Sequence, residues 1–524
     1  MGTYLNPGNE GFERILNKKY IDKTGVIELL NNTINTPDML TCVSRPRRFG
    51  KSYTAQVLCA YYDKTCDSDH LFRNLKIQDL SSYREHLNKY DVIYLDMANI
   101  LEKTNSSGFI DFIKENISNE IIESYPEVVK GTSIDSTLIN AAGTIGNKFI
   151  MIIDEWDIPI REAPDIEKDY LKFLRMLFKG SGTTARIFSA VYMTGILPVK
   201  KDGSQSALSD FKEYTMLKPG IFAEYTGFTE KEVIELCRKQ EIDFNEMKRW
   251  YDGYVLKGAG DIYNPNSVME AIRNKEFDSY WVQTSAIDSL MKYIGLDYMG
   301  LSKTIAELIG GTSVDVDPLG FSNDLVTFRN KDDVLTLLIH LGYLAYDSES
   351  KTAYIPNEEI RREFEKAVRV SEHEETMRRV AESDKLIEDT VHMDAEAVAR
   401  QIEKVHTEET SPLFYNNEQA LRSVVKLAYF AYRDYYLEFQ EIPSGTGIAD
   451  IVYFPKKKTD LPALLIELKW DKTAVGAIQQ IKDKNYPDII KDYGGEILLV
   501  GINYDKAAPP GERHHTCVIE RVGK

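Results

Sequence analysis

The chain of 524 residues is poor in cysteine, in tryptophan, in long apolar runs and in positive charge. Its five cysteines (Cys42, Cys59, Cys66, Cys237 and Cys517) are scattered, with no CxxC pair and no zinc-finger spacing. That excludes a disulfide scaffold and leads to an expectation of reduced thiols. No apolar run reaches the roughly 20 residues of a membrane span. The opening residues, MGTYLNPGNEGFER, lack the basic-then-apolar order of a signal peptide. A cytoplasmic protein with no membrane contact is therefore expected. Lys and Arg number 64 against 82 Asp and Glu, a net charge of −18. A globally basic nucleic-acid coat is excluded, so any contact with DNA or RNA must use local patches.

What is present is an ordinary globular composition, 43% hydrophobic and 28% charged. At roughly 100–200 residues per domain, about three domains are expected. The expected limits are residues 1–225, 226–410 and 411–524. Apolar, β-rich runs fall at Met39–Ser44, Val92–Met97, Phe149–Asp154 and Arg186–Thr194. Helix-like stretches separate them at Lys51–Tyr62, Gly108–Ser124 and Glu167–Leu177. Such alternation predicts an α/β fold, a parallel sheet with helices on both faces. Glu230–Leu344 reads as mostly helical, broken by turns such as Tyr263–Ser267. Asn357–Val405, with EEIRREFEKAVRV, reads as a solvated helical connector. A compact α/β module closes the chain. It has a helix at Glu418–Leu437 starting near Asn416 or Asn417, and strands at Ile448–Phe454 and Ala463–Lys469 joined through Pro455–Leu461. A helix at Ala474–Lys484 and a strand at Glu496–Ile502 follow.

Two constellations carry chemistry. After the first strand comes SRPRRFGKSYTA, in which Gly50-Lys51-Ser52 has the form of the end of a P-loop. Backbone N–H groups at a helix start bind phosphate oxygens. Lys51 would reach the β- and γ-phosphates, and the Ser52 hydroxyl would bind Mg²⁺. Arg45 stands where the first P-loop glycine is usual, so this segment alone fits an ordinary helix N-terminus equally well. The strand Phe149–Asp154 then ends in Asp154-Glu155, at the edge of a parallel sheet where ligands bind. Asp154 would hold Mg²⁺ and Glu155 would polarise the attacking water. Thr194, at the end of the fourth strand, is a candidate contact for the γ-phosphate or that water, or a plain strand-end hydroxyl. Arg45, Arg47 and Arg48 suit nucleotide phosphates or acidic neighbours.

The second constellation is GIADIVY followed by LIELKW. Glu467 and Lys469 are two apart on one strand, so they share a face, and Asp450 starts the neighbouring strand. Two carboxylates and a lysine suit one or two Mg²⁺ ions acting on a phosphodiester. A buried salt bridge is the competing reading. Gln480, on the next helix, is a candidate contact for a phosphate or a catalytic water, or part of a polar helix face. Tyr486 reads rather as part of a polar helix face. The Lys456-Lys457-Lys458 run suits a phosphate backbone, or simply a solvated turn.

The segments LNPGNEGFERILNKKYIDKTGVI, SRPRRFGKS, IIDEWDIP and YMTGILPVKK, with the later WYDGY and IYNPNSV, resemble the bacterial AAA-ATPase-like P-loop family. GIADIVYFP and IELKW resemble the PD-(D/E)XK nuclease superfamily, in the form that follows such an ATPase in one chain. The first resemblance implies Lys51 and Ser52 on the ATP phosphates and magnesium, with Asp154 and Glu155 as the Walker B pair; Arg48 and Gly50 are expected beside them as ATP contacts from their place in the loop. The second implies Asp450, Glu467 and Lys469 as the core triad of a restriction-endonuclease-like domain, with Glu418 as the acidic residue of its first helix. The expected activity is an ATP-dependent, metal-dependent nuclease acting on foreign or mobile nucleic acid, using Mg²⁺ or Mn²⁺. DNA is preferred to RNA as substrate, and a homo-oligomer is left open. The alternative is a nucleotide-dependent switch whose nuclease-like domain only binds nucleic acid or protein.

Overall fold

A computed structural model describes residues 2–18, 20–104, 108–199, 201–202, 205–206, 208, 210–281, 301–321, 328, 330–370, 374–409, 417–429, 432–439, 450–456, 461–483, 495–509 and 512–522. The chain divides into two compact units. The first is Met1–Gln283 with Asp315–Glu363, and the second is Thr284–Val314 with Phe364–Lys524. Among the described residues, no helix is long and apolar enough to cross a membrane.

The first unit is built on strands β1 (Leu40–Ser44), β2 (Val92–Asp96), β3 (Phe149–Asp154), β4 (Phe188–Gly195) and β5 (Lys212–Tyr214). Their order is β2-β3-β4-β1-β5, and every pairing is parallel. Such a sheet is buried on both faces, which explains its near-continuous apolar runs. Phe149, Met151 and Ile153 of β3 enter one core with Ile113, Ile117, Leu138 and Leu174 from the helices outside. Ile150 and Ile152 point the other way, onto Val57, Leu58 and Tyr61 of helix α1 (Lys51–Tyr62). The helix Ile134–Ile145 has no counterpart in the sequence reading, and the fourth strand starts at Phe188 because residues 181–187 are helical.

The described residues after the sheet are mostly helical but also carry the hairpin β6 (Tyr254–Leu256) and β7 (Gly260–Tyr263). The predicted turn Tyr263–Ser267 is a helix start. The Asn264 side chain accepts from the amides of Asn266 (2.9 Å) and Ser267 (3.3 Å), and Pro265 opens helix α2 (Pro265–Asn274). The solvated connector is corrected as well. On helix α3 (Glu358–Val370), Ile360, Glu359 and Arg361 are all buried in the first unit. Further on, Leu386, Ile387, Val398 and Ile402 join the core of the second unit.

The second unit contains helices α4 (Ala395–Glu409) and α5 (Glu418–Ala428), then strands β8 (Tyr436–Phe439), β9 (Ile451–Pro455) and β10 (Ala463–Trp470). Helix α6 (Ala474–Asp483) and strands β11 (Ile497–Tyr504) and β12 (His515–Val522) complete it. The sheet order is β8-β9-β10-β11-β12, with β10 and β11 parallel and the other pairs antiparallel. Leu464, Ile466 and Leu468 face the core built with α4 and α5, while Leu465 faces Ile478 and Ile481 of α6. The first helix of this module ends at Ala428, and Leu437 lies on strand β8 opposite Phe454. The aromatic, β-favouring YYLEF run gains more by pairing in the sheet than by prolonging a helix. Gly447–Ala449, Lys457, Lys458, Lys484 and Tyr486 lie outside the described residues.

Candidate active sites

The turn between β1 and α1 is held from below. Arg45 is fully buried, and its Nη1 donates to the carbonyls of Ser44 (2.8 Å) and Tyr214 (3.0 Å). Desolvation lowers its pKa to about 10. Arg45 is thus a brace beneath the loop. Arg47 reaches toward Glu162 at 3.8 Å, and Arg48, with φ +67°, donates to the Tyr280 carbonyl at 2.7 Å. Gly50 sits at φ +85°, where a side chain is strained, and it caps α1. The buried Lys51 ammonium donates to the carbonyls of Arg45 (3.0 Å) and Pro46 (2.7 Å). Desolvation lowers its pKa to about 8, against the pull of Asp154, Asp157 and Glu155.

Beside this loop stands the end of β3. Asp154 is 2% exposed, and desolvation raises its carboxyl to about 6, opposed by a hydrogen bond from Ser52. Among the described residues, its Oδ1 has no hydrogen-bond partner. An orphaned carboxylate oxygen next to a hydroxyl is a donor pair that a hard cation such as Mg²⁺ takes. Glu155 follows at φ +53°, a conformation that costs a non-glycine residue on the order of 1 kcal/mol. Its carboxyl is raised by desolvation and pulled back by Lys51 and Arg161.

A cleft of about 1090 Å³ opens over these groups, lined by Arg48, Gly50, Lys51, Ser52 and Glu155. Neither Asp154 nor Thr194 is part of its lining. The Thr194 hydroxyl is fully buried and donates to the Val43 carbonyl at 3.0 Å, which ties β4 to β1.

Sequence reasoning missed three features here. Asp96 pairs in register with Asp154 and adds a carboxylate to the same strand ends; its signal was VIYLD, an apolar strand ending in Asp like β3. Asp157 is buried and accepts from Arg161 Nε (2.8 Å) and from the amides of Ile196 (3.2 Å) and Leu197 (3.0 Å), locking the turn after β3 to the turn after β4. Tyr20, Tyr225, Met269 and Arg273 also line the cleft, and no local pattern announced them.

In the second unit, the β10 alternation sets Glu467 and Lys469 on the α6 face, with side chains 3% and 6% exposed. Lys469 Nζ donates to Glu467 Oε1 at 3.0 Å, and Gln480 Nε2 of α6 donates to the same oxygen. Continuing the register Ile451↔Ile466 by one residue sets Asp450 opposite Glu467. Asp450 Oδ2 accepts from the Leu468 amide at 2.7 Å, and its carbonyl accepts from Arg422 of α5. Glu418 is exposed, one helical turn before Arg422. Asp450, Glu467, Lys469 and Gln480 are thus brought together, and the salt bridge foreseen as the competing reading is part of the same arrangement. Paired carboxylates facing each other across two strands fit a divalent cation held by oxygen ligands.

A parallel sheet that sets a Gly-Lys-Ser turn beside a strand-end Asp-Glu pair defines a P-loop NTPase unit. A five-stranded mixed sheet with an Asp…Glu-x-Lys face defines a restriction-endonuclease-like unit. Residues 8–204 match the family model of predicted AAA-ATPases, and residues 416–508 match that of the PD-(D/E)XK nuclease superfamily. The chain thus carries an AAA-ATPase-like domain in its N-terminal part and a PD-(D/E)XK nuclease superfamily domain in its C-terminal part. It spans half the length of a curated relative, an uncharacterized protein in the vnfD 5′ region of Azotobacter chroococcum mcd 1. The two are 22% identical over 273 residues, 51% of this chain and 50% of the relative. Among solved structures, it is similar to the Aeropyrum pernix ORC2 protein in ADPNP–ADP complexes (10% identity, 68% of this chain, 98% of that one, TM-score 0.25). It is also similar to the Aeropyrum pernix ORC1 protein in complex with DNA (10% identity, 70% and 97%, TM-score 0.25).

Proposed function

We propose that the first unit binds and hydrolyses ATP with Mg²⁺, and that this licenses or positions phosphodiester cleavage by the second unit. Lys51 and Ser52 serve the phosphates and the metal, with Arg48 at the cleft edge. Asp154 serves as metal ligand, Glu155 orients the attacking water, and Thr194 positions the phosphate loop through Val43. In the second unit Asp450 and Glu467 hold Mg²⁺ or Mn²⁺. The bound metal supplies Lewis acidity and a more acidic water. Lys469 steadies developing negative charge, Gln480 fixes the Glu467 carboxylate, and Glu418 is the outer carboxylate of the helix. The observation that carries this reading is the convergence of Asp450, Glu467, Lys469 and Gln480 on one face of β10. The substrate is nucleic acid, DNA ahead of RNA, from foreign or mobile elements, met in the cytoplasm by a chain that works alone or as a homo-oligomer.

The test is cleavage of labelled single- and double-stranded DNA and RNA with Mg²⁺ or Mn²⁺, with and without ATP. Wild type should cut, and Lys469→Ala should not. ATP hydrolysis without any cleavage would instead support a nucleotide-dependent switch whose second unit only binds its partner.

A further inference from the structure

A second polar cluster lies on the opposite face of the same sheet. Glu403 and His406 are three residues apart on α4, so they share one face of that helix. His515 opens β12, and its side chain is fully buried. Glu403 Oε2 accepts from the His515 amide at 2.9 Å and lies 2.5 Å from His515 Nδ1. The His406 and His515 rings meet edge-on with centroids 5.1 Å apart. Tyr504 packs edge-on against both, at 5.3 and 5.1 Å. One ligand atom from each of Glu403, His406 and His515 lies within 4.8 Å of the other two. Cys517 and Ile519, which alternate with His515 along β12, pack into the core shared with α4 and α5. Glu467 and Lys469 face α6, so the two clusters are separated by the sheet.

We infer that Glu403, His406 and His515 form a binding site for a transition-metal ion of the Zn²⁺ class. Two imidazoles and one carboxylate are the donor set of zinc and its first-row neighbours, whereas Mg²⁺ prefers oxygen alone. The spacing Glu-x-x-His on a helix presents two ligands to one point, and the strand supplies the third. Water fills the fourth position of a tetrahedron. The ion staples α4 to the edge strand β12, a junction that otherwise rests on contacts such as Arg513 with Glu396. Its role is to fix the helical layer of the second unit, away from the carboxylate–lysine site.

The experiment uses the full chain, stripped with a chelator and reloaded with Zn²⁺ or Co²⁺. Competition against a chromophoric chelator should give about one tightly held Zn²⁺ per chain. Asp450→Asn should leave that ion in place, which separates this site from the proposed nuclease site. His406→Gln should weaken Zn²⁺ binding at least tenfold and remove the rise in melting temperature that Zn²⁺ gives the parent. Co²⁺ in the unmutated chain should show the d–d absorption of a four-coordinate nitrogen–oxygen site, a readout that requires no variant to fold. No retained Zn²⁺, or Co²⁺ without that absorption, would overturn the inference. So would equal Zn²⁺ affinity in wild type and a folded His406→Gln.

Discussion

Lys469 Nζ stands 3.0 Å from Glu467 Oε1, with both side chains almost wholly buried on one face of strand β10. Taken by themselves, the two residues make a salt bridge. Asp450 on the neighbouring strand and Gln480 on α6 turn the pair into part of a four-residue site. That double character makes stability and activity separable.

Lys469→Ala should abolish cleavage and also destabilise the second unit. It removes the cation that neutralises the buried Glu467 carboxylate and leaves Gln480 as a neutral donor to it, which should cost several kcal/mol, up to about 3–5. The double variant Glu467→Gln/Lys469→Met should recover most of that stability, because neither buried charge remains. It should still not cut. Thermal melting read beside a cleavage assay makes the comparison. A stable double variant that cuts like wild type would reduce the pair to a structural element.

Lys51→Ala and Glu155→Gln should separate binding from turnover in the first unit. Lys51 is aimed at the phosphate loop, so its loss should weaken ATP binding in calorimetry. Glu155 lines the cleft beside it, and Glu155→Gln should leave binding near wild type while phosphate release falls by a factor of about 100 or more. Unchanged phosphate release in Glu155→Gln would remove this residue from the role of water-orienting group.

Glu359 predicts a pH dependence. Its carboxyl is 1% exposed, and desolvation raises its pKa to about 8 despite hydrogen bonds from the Ser267 hydroxyl and the Tyr280 amide. Between pH 4.5 and about 8 the folded chain holds a proton that the unfolded chain has released. Its contribution is complete below the unfolded pKa and is lost as pH rises through the folded one. Glu359→Gln, always neutral, should therefore flatten this loss and raise the melting temperature at pH 8 by about 2 °C or more. Melts of the two proteins across pH 5 to 9 would decide it, and parallel curves would contradict the assignment.

Gly195→Ala should be costly although its backbone is an ordinary strand end. An added Cβ would lie 2.5 Å from Asp157 Oδ1 and 2.6 Å from Trp156 Cδ1. It would push aside the carboxylate that fixes the turn after β3, at a cost of about 1–3 kcal/mol. Denaturant unfolding should show that loss, and ATP turnover should fall with it. A variant as stable as wild type would mean that Trp156 and Asp157 can shift freely.

Local pattern was enough for the sheet-forming runs, because a strand buried on both faces must be apolar along its length, as Phe149–Asp154 is. It was enough for α1 as well, whose limits were read to the residue. The same holds for the Glu467–Lys469 face, since a strand's period of two is a property of the chain itself. It did not serve for Leu437, where pairing with Phe454 overrides helix continuity, nor for residues 357–405, whose charged composition hides buried side chains such as Ile360, Phe364, Leu386 and Val398. Other relationships join residues far apart in the chain and exist only once the sheets close. Asp96 comes beside Asp154 by strand order, Thr194 is tied to Val43 by register, and Tyr225 and Arg273 line one cleft with Gly50, Lys51 and Ser52. His515 reaches Glu403 the same way, across 112 residues. The sequence by itself determined which polar and charged groups each strand end carries. Only the tertiary structure decided which of those groups meet, because burial and pairing are properties of the assembled layers.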